Sequence, residues 1–331
     1  MTGRPRIWVL LGYRRGDNNQ LLALAEALKV PFETRTMSYG RTSRLLMKLV
    51  PAGIRHLRRE SRRHLQPPWP DIVIGIGRRT VPVARWIRQR SQGRAKLVRL
   101  GHPRAPNAWF DLVITTRQYP VPPGENVVTL PLAMNRFRQP PEPTADERAW
   151  LDALPRPHLL LSVGGPSAMW RLDNAALAKA VGRLAARAGE ANGILIVVGS
   201  PRTPPDAWRA IRAAADNPNL AFAGDSVRYA VLLNDADEHF VTADSVSMIS
   251  EAVMTGKPVG LIAVQPDARG RRRIGARDPT ETDFRDPRRF WADVQRRGLV
   301  GTVEKPARGT FDDPVETAVA AVRTVLGGLV E

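Results

Sequence analysis

Asp17 is the first residue of this chain placed to do chemistry. It lies in Gly12-Tyr13-Arg14-Arg15-Gly16-Asp17-Asn18-Asn19-Gln20, after two glycines and directly before three side-chain amides. The apolar run over 6–11 reads as a buried strand. Leu21, Leu22, Leu24, Ala25 and Leu28 predict the helix that follows, so 12–20 is expected to be a loop. A loop at the carboxyl end of a first strand is where open α/β sheets bind ligands. A carboxylate there can take a proton from an acceptor hydroxyl, and Asn18, Asn19 and Gln20 can hydrogen-bond a sugar or acceptor. Asp17 equally suits a plain helix N-cap. The glycine spacing is not GxGxxG, which removes support for a dinucleotide fingerprint.

A second constellation occupies 240–258, FVTADSVSMISEAVMTGKP. A strand ends near Thr242, Ala243-Asp244-Ser245 turns the chain, and Val246, Ile249, Ala252 and Val253 mark one face of a helix that Gly256 stops. Asp244 or Ser245 can cap that helix. The hydroxyls of Ser245 and Ser247 and the amides as far as Met248 then converge on the positive end of a helix dipole, a place suited to phosphate. Glu251, six residues after Ser245, can accept hydrogen bonds from a ribose diol. The same residues also serve an ordinary βαβ unit whose serines only cap its helix.

Further glycine loops end other predicted strands. Gly164 and Gly165 follow a strand over 158–163, where a missing Cβ lets a diphosphate or sugar approach backbone amides. Ser200 and Arg202 follow a strand over 193–198, and Arg202 is either a diphosphate clamp or a solvated side chain. Gly224 follows a strand over 220–223, Gly77 one over 71–76, and His102 one over 96–100. His102 suits acid–base work, phosphate binding or a structural role. Asp235-Ala236-Asp237 has the spacing of a metal-binding acidic pair but precedes a strand. The five histidines never fall in ligand spacing and the chain has no cysteine, so no metal or cofactor is expected.

These loops need strands and helices in alternation to carry them, which predicts doubly wound parallel sheets. At 331 residues two domains are expected: 1–140, a Pro-rich linker with a lead-in helix over 141–157, and 158–331. The chain carries a net charge of +18, all of it before residue 143, with 26 Lys and Arg against 8 Asp and Glu there. Such asymmetry implies an anionic partner for the first domain. Over 34–70, Leu45, Leu46, Leu49, Ile54 and Leu57 alternate with eight basic residues from Arg41 to Arg63 in two helical pieces broken by Pro51 and Gly53. That pattern suits an anionic membrane surface, and equally a solvated face. It suits nucleic acid less, since no base-reading motif accompanies it. No apolar run approaches the ~20 residues of a membrane span, and the N-terminus lacks a signal-peptide cleavage site. The arginine-rich stretch after Val264 is expected to be a loop, 298–302 a last short strand, and 314–326 a terminal amphipathic helix.

Three stretches in this order, GYRRGDNNQ, LSVGGPSAMW and GDSVRYAVLLNDADEHFVTADSVSMISEA, resemble the bacterial branch of the "elongated mitochondria" (mitochondrial-fission) family. The turn, acidic helix and GKP also resemble the donor segment of GT-B glycosyltransferases. The resemblance implies two Rossmann-like domains facing a cleft. It implies a base held by Phe222, Ala223 and Gly224, and a last helix that crosses back to the first domain. It further implies a cytoplasmic, peripheral-membrane glycosyltransferase that uses a nucleotide-sugar and a lipid-linked or envelope acceptor without metal. A non-catalytic membrane scaffold and a nucleotide-sugar epimerase or hydrolase are the alternatives, because fold does not fix reaction.

Overall fold

The computed structural model describes residues 5–40, 52–135, 141–167, 169–214 and 217–327. The chain separates into two compact units: Met1–Arg136 with Asp312–Glu331, and Phe137–Phe311.

In the first unit the elements run β1 (Ile7–Leu11), α1 (Arg15–Ala27), β2 (Phe32–Thr36), α2 (Arg59–Arg63), β3 (Ile72–Ile76), α3 (Val81–Arg90), β4 (Lys96–Leu100), β5 (Leu112–Thr116) and β6 (Val127–Leu130). The strands form one parallel sheet in the order β2-β1-β3-β4-β5-β6. Strand order reverses between β1 and β3, which makes the loops after Leu11 and Ile76 the switch-point loops. Ile7, Val9, Ile72, Ile74, Val98 and Leu100 cover one face, against Leu21, Leu24 and Leu28. Trp8, Leu10, Val73, Leu97 and Val113 cover the other, against Val83 and Ile87. Apolar runs buried on both faces are what a parallel sheet requires.

The second unit runs α4 (Ala145–Asp152), β7 (His158–Val163), β8 (Trp170–Leu172), α5 (Asn174–Glu190), β9 (Ile194–Gly199), α6 (Pro205–Ala213), β10 (Leu220–Phe222), α7 (Tyr229–Asp235), β11 (Glu238–Thr242), α8 (Val246–Met254), β12 (Val259–Ile262), β13 (Val264–Pro266), α9 (Ala268–Ile274) and α10 (Pro287–Arg296). Its parallel sheet has the order β10-β9-β7-β11-β12, so strand order reverses between β7 and β11. Thr144 and Glu147 form a capping box at the start of α4, and Glu147 also takes a two-pronged ion pair from Arg228. The last helix, α11 (Pro314–Leu326), belongs to the first unit. Val315, Ala318, Val319 and Val322 join the core of α1 there.

Several expectations change. Residues 15–20 are helix, not loop, because α1 already starts at Arg15. The stretch after Val264 contains α9 rather than a loop, and β13 pairs antiparallel with β8 as a separate two-stranded ribbon. In place of a strand over 298–302, Gly301 makes one isolated bridge to Gly260 of β12. Residues 41–51, with three of the eight basic residues, Arg41, Arg44 and Lys48, lie outside the described residues. In the described part Leu57 is buried and Ile54 packs on the same core, so their apolar side faces inward, while Arg58, Arg59 and Arg63 face solvent along with Glu60 and His64. No helix among the described residues is long and apolar enough to cross a membrane.

Candidate functional site

The carboxyl ends of β7, β9 and β11 are tied together by side chains. Thr242 Oγ1 accepts from the Gly164 amide at 2.8 Å, and Asp244 Oδ2 accepts from the Gly165 amide at 2.9 Å. Thr242 donates to Asp244 Oδ1 at 2.7 Å. Arg202 donates through Nη1 to the carbonyls of Gly165 and Pro166 at 3.0 and 3.1 Å, and its Nη2 lies 3.4 Å from Asp244. A Cβ on Gly164 would meet Asp244 Oδ2 at 2.2 Å, and one on Gly165 would meet the Arg202 carbonyl oxygen at 2.0 Å. The glycine pair therefore admits protein rather than ligand, and both of its amides are engaged by side chains. Ser200 is likewise held in its own turn, its amide donating to Val163 O at 2.9 Å and to Thr203 Oγ1 at 2.8 Å. Asp244 is buried, and desolvation raises its pKa above the ordinary value against the pull of these bonds and of Arg202.

This braced turn presents the N-terminus of α8. Ser245 is its N-cap, accepting from the Met248 amide at a long 3.4 Å. Ser247 and Met248 are half-buried beside it. Below the first turn, Glu251 is pushed up to about 7 by desolvation. Ser162 Oγ and Tyr229 Oη are buried next to one another, the serine hydroxyl pulling the phenol down, and among the described residues neither bonds any other group. The Tyr229 phenol is held above its ordinary range, first by burial and then by the charge of Glu251. This buried hydroxyl pair and the desolvated carboxyl form one polar cluster in the second unit. Sequence reading found Glu251 and missed its companions. The signal was there: Ser162 is the one hydroxyl in the run HLLLSV. Gly224 has φ +52° and is exposed in the turn after β10, next to the buried Ala223.

The other predicted residues lie in the first unit. Asp17 stands in the first turn of α1, whose N-cap is Arg14 with no side-chain cap bond, so Asp17 is not the cap. Asn18 accepts from the Gly12 amide and donates to the Gly12 carbonyl, both at 2.9 Å. This clasp closes the switch-point turn in three residues and lets the helix begin early. Asn18 is a brace; Asn19 is half-buried, and Gln20 lines a small cavity with Gly101, Thr116, Tyr119 and Met134. Gly77, at φ +79°, turns the chain after β3. His102 is depressed to about 4 by desolvation and then by Arg104 and Arg99, which leaves it neutral at pH 7. Its Nδ1 accepts from the Arg104 amide at 2.9 Å, which puts its proton on Nε2 as a donor.

Asp235 and Asp237 lie at the opposite, amino end of the second sheet. Asp235 accepts from His158 Nδ1 at 2.6 Å and pairs with Arg156, and Asp237 accepts from the His158 amide at 2.8 Å. Among the described residues no cluster of His, Cys, Asp or Glu is arranged to hold a metal ion.

A family model described as Mitochondrial fission ELM1 matches residues 15–280. The mitochondrial fission protein ELM1 of Arabidopsis thaliana is 30% identical over 245 residues, covering 66% of this chain and 57% of that protein. The chain thus spans little more than half the length of that relative. The UDP-GlcNAc 2-epimerase of Methanocaldococcus jannaschii superposes with a TM-score of 0.55 at 12% identity, over 98% of this chain and 100% of the other. A glycosyltransferase from Rickettsia africae gives 0.54 at 11% identity, over 98% and 99%. At such identity the likeness is one of fold: two Rossmann-like, doubly wound units of the GT-B type.

Proposed function

The chain belongs to the Mitochondrial fission ELM1 family, and from that premise and the geometry above we propose that it is a metal-independent glycosyltransferase. Its donor is a nucleoside-diphosphate sugar, held in the second unit. The observation that carries this reading is the desolvated Glu251, one turn below the N-terminus of α8, whose charge acts on the buried Tyr229 of the Ser162–Tyr229 pair. Phosphate sits at the helix start, where dipole and N–H groups stabilise the charge of a leaving diphosphate. The ribose diol donates to Glu251. Gly164, Gly165, Ser200 and Arg202 act by bracing the turn. Gly224 and its neighbours border the base. UDP-sugars are the first donors to test, given the UDP-GlcNAc epimerase of the same fold.

The test is a thermal-shift screen of nucleotides and nucleotide-sugars, followed by assay of any that bind. A UDP-type ligand is expected to raise Tm by several degrees, since 100 Kd of ligand adds about 2.7 kcal/mol. No shift with any nucleoside diphosphate counts against the donor site. Consumption of the sugar nucleotide without an acceptor points to an epimerase or hydrolase instead. Nucleotide binding with no turnover on any acceptor points to the scaffold.

The acceptor is proposed to be membrane- or envelope-associated, with the first unit's cations drawn to anionic lipid at the inner face of a membrane. The exposed Arg58, Arg59, Arg62 and Arg63 support attraction by charge alone. Binding to vesicles of 30% phosphatidylserine is therefore expected to fall steeply between about 50 and 300 mM salt, as the Debye length shrinks. Absent or salt-insensitive binding removes the membrane assignment.

A further inference from the structure

Arg99, in β4, is 2% exposed. Its neighbour across the sheet on β3 is Gly75. A Cβ on Gly75 would meet Thr80 Oγ1 at 3.2 Å, the same hydroxyl to which Arg99 Nη1 donates at 2.8 Å. Nε and Nη2 have no partner. These two donors form one edge of the guanidinium, the edge that grips two oxygens of an anion at once.

Elsewhere in this protein the same edge is filled. Arg228 uses Nε and Nη2 on the two oxygens of Glu147 at 2.7 and 2.6 Å. Arg288 uses the same pair on Asp286 at 3.1 and 2.7 Å. Arg99 is more deeply buried than either and has no carboxylate on its fork. Desolvation lowers it to about 10, against the pull of the Asp17 charge, and the Phe110 ring lies 5.9 Å from the guanidinium carbon. A buried cation left this way is costly unless an anion completes it.

We propose that the first unit binds a phosphoryl-type oxyanion on the open edge of Arg99. The surroundings fit a group with more than two oxygens. Tyr39 and Tyr119 lie within electrostatic reach of Arg99, and the Arg79 guanidinium stacks over the Tyr39 ring at 5.0 Å. The half-buried Arg79 follows the exposed turn at Gly77 and Arg78. The site stands apart from the donor reading, because every residue in it belongs to the first unit. It would give an acceptor carrying a phosphate its anchor beside Asp17.

The experiment titrates the full chain with inorganic phosphate, geranyl phosphate and geraniol at constant ionic strength, by thermal shift and calorimetry. Wild type is expected to show saturable phosphate binding with a rise of several degrees in Tm. Arg99→Met is expected to lose that rise while keeping its ligand-free Tm, because an apolar replacement of like shape removes a buried charge and Thr80 Oγ1 keeps its own bonds to the Ile76 and Gly77 carbonyls. Should Arg99→Met not fold, Arg99→Lys keeps the charge without the fork and is expected to weaken phosphate at least tenfold. UDP-sugar binding is expected to be unchanged in either variant, so that failure of this site and failure of the donor site are told apart. Geranyl phosphate at least tenfold tighter than phosphate, with geraniol inert, assigns the oxyanion to a lipid-linked ligand. Equal affinity of the two phosphates assigns it to the free ion. No phosphate binding by wild type, or a phosphate response that survives Arg99→Met or Arg99→Lys, overturns the proposal.

Discussion

UDP-GlcNAc, or whichever sugar nucleotide the screen selects, is expected to bind about tenfold more weakly at pH 6 than at pH 8. The reason is Glu251. Desolvation raises it to about 7, so below that pH the free protein carries a neutral carboxyl. A ribose diol donates hydrogen bonds, which favours the ionised form, and binding must then release the proton. The diphosphate of a sugar nucleotide is esterified at both ends and has no monoester ionisation near pH 6, so the protein is the source of the effect. Glu251→Ala is expected to lose at least a hundredfold in affinity and all of this pH dependence, measured by calorimetry at pH 6, 7 and 8. The same shift has a stability consequence of opposite sense to that of a salt-bridged acid. The folded state holds its proton to a higher pH than the unfolded state does. Stability from this group is therefore fully present near pH 4 and declines as pH rises towards 7. The total is about 3 kcal/mol at about 1.36 kcal/mol per pKa unit. Glu251→Gln is accordingly expected to melt several degrees above wild type at pH 8 and to bind nucleotide worse. A stabilised variant with weakened binding is the signature of a carboxylate kept for function, and equal loss of both would mark Glu251 as structural.

How much of this was legible beforehand depended on whether a local pattern carried it. The apolar runs IWVLL, HLLLSV and EHFVT could be placed as strands because burial on both faces leaves a continuous signature. The helix start at Arg15 could not, because its first turn is wholly polar and its apolar period begins only at Leu21. What decides it is the two-way bond of Asn18 to Gly12, a contact between side chain and backbone that periodicity does not report. Gly164 and Gly165 carried a true signal with the wrong object. The space they leave is taken by Asp244 and by the Arg202 backbone, residues distant in sequence. The inward face of Ile54 and Leu57 is a tertiary fact of the same kind. Strand order was invisible from the chain, yet it turns the separate loops into two sites, since reversal between β7 and β11 brings Gly164 and Asp244 together. Arg99 was visible and passed over: a lone arginine in KLVRL, between apolar neighbours that must be buried, announces an internal charge.

Asp17→Asn is expected to lower turnover by about 10²–10⁴-fold, the range for removal of a general base, with sugar-nucleotide affinity within twofold of wild type. Two roles compete for this residue, and the structure makes them separable. Arg14 occupies the N-cap, so Asp17 is not needed to cap α1. As a charge in the first turn of a helix it contributes about 0.3–1 kcal/mol through the dipole. Asparagine keeps the shape and hydrogen-bonding reach of the side chain and gives up that small term, so the variant is expected to melt within about 2 °C of wild type. A catalytic carboxylate predicts the opposite weighting, with a large loss in kcat, little change in KM for the donor and a flat thermal profile. Asp17 lies beside the reversal point of its sheet, and its charge acts on both Arg14 and the buried Arg99. A phosphate on Arg99 would thus hold an acceptor within reach of the base. Arg99→Met is then expected to raise KM for a phosphorylated acceptor, whereas Asp17→Asn changes kcat at unaltered KM. Turnover retained in Asp17→Asn, at any acceptor concentration, removes the catalytic role of Asp17.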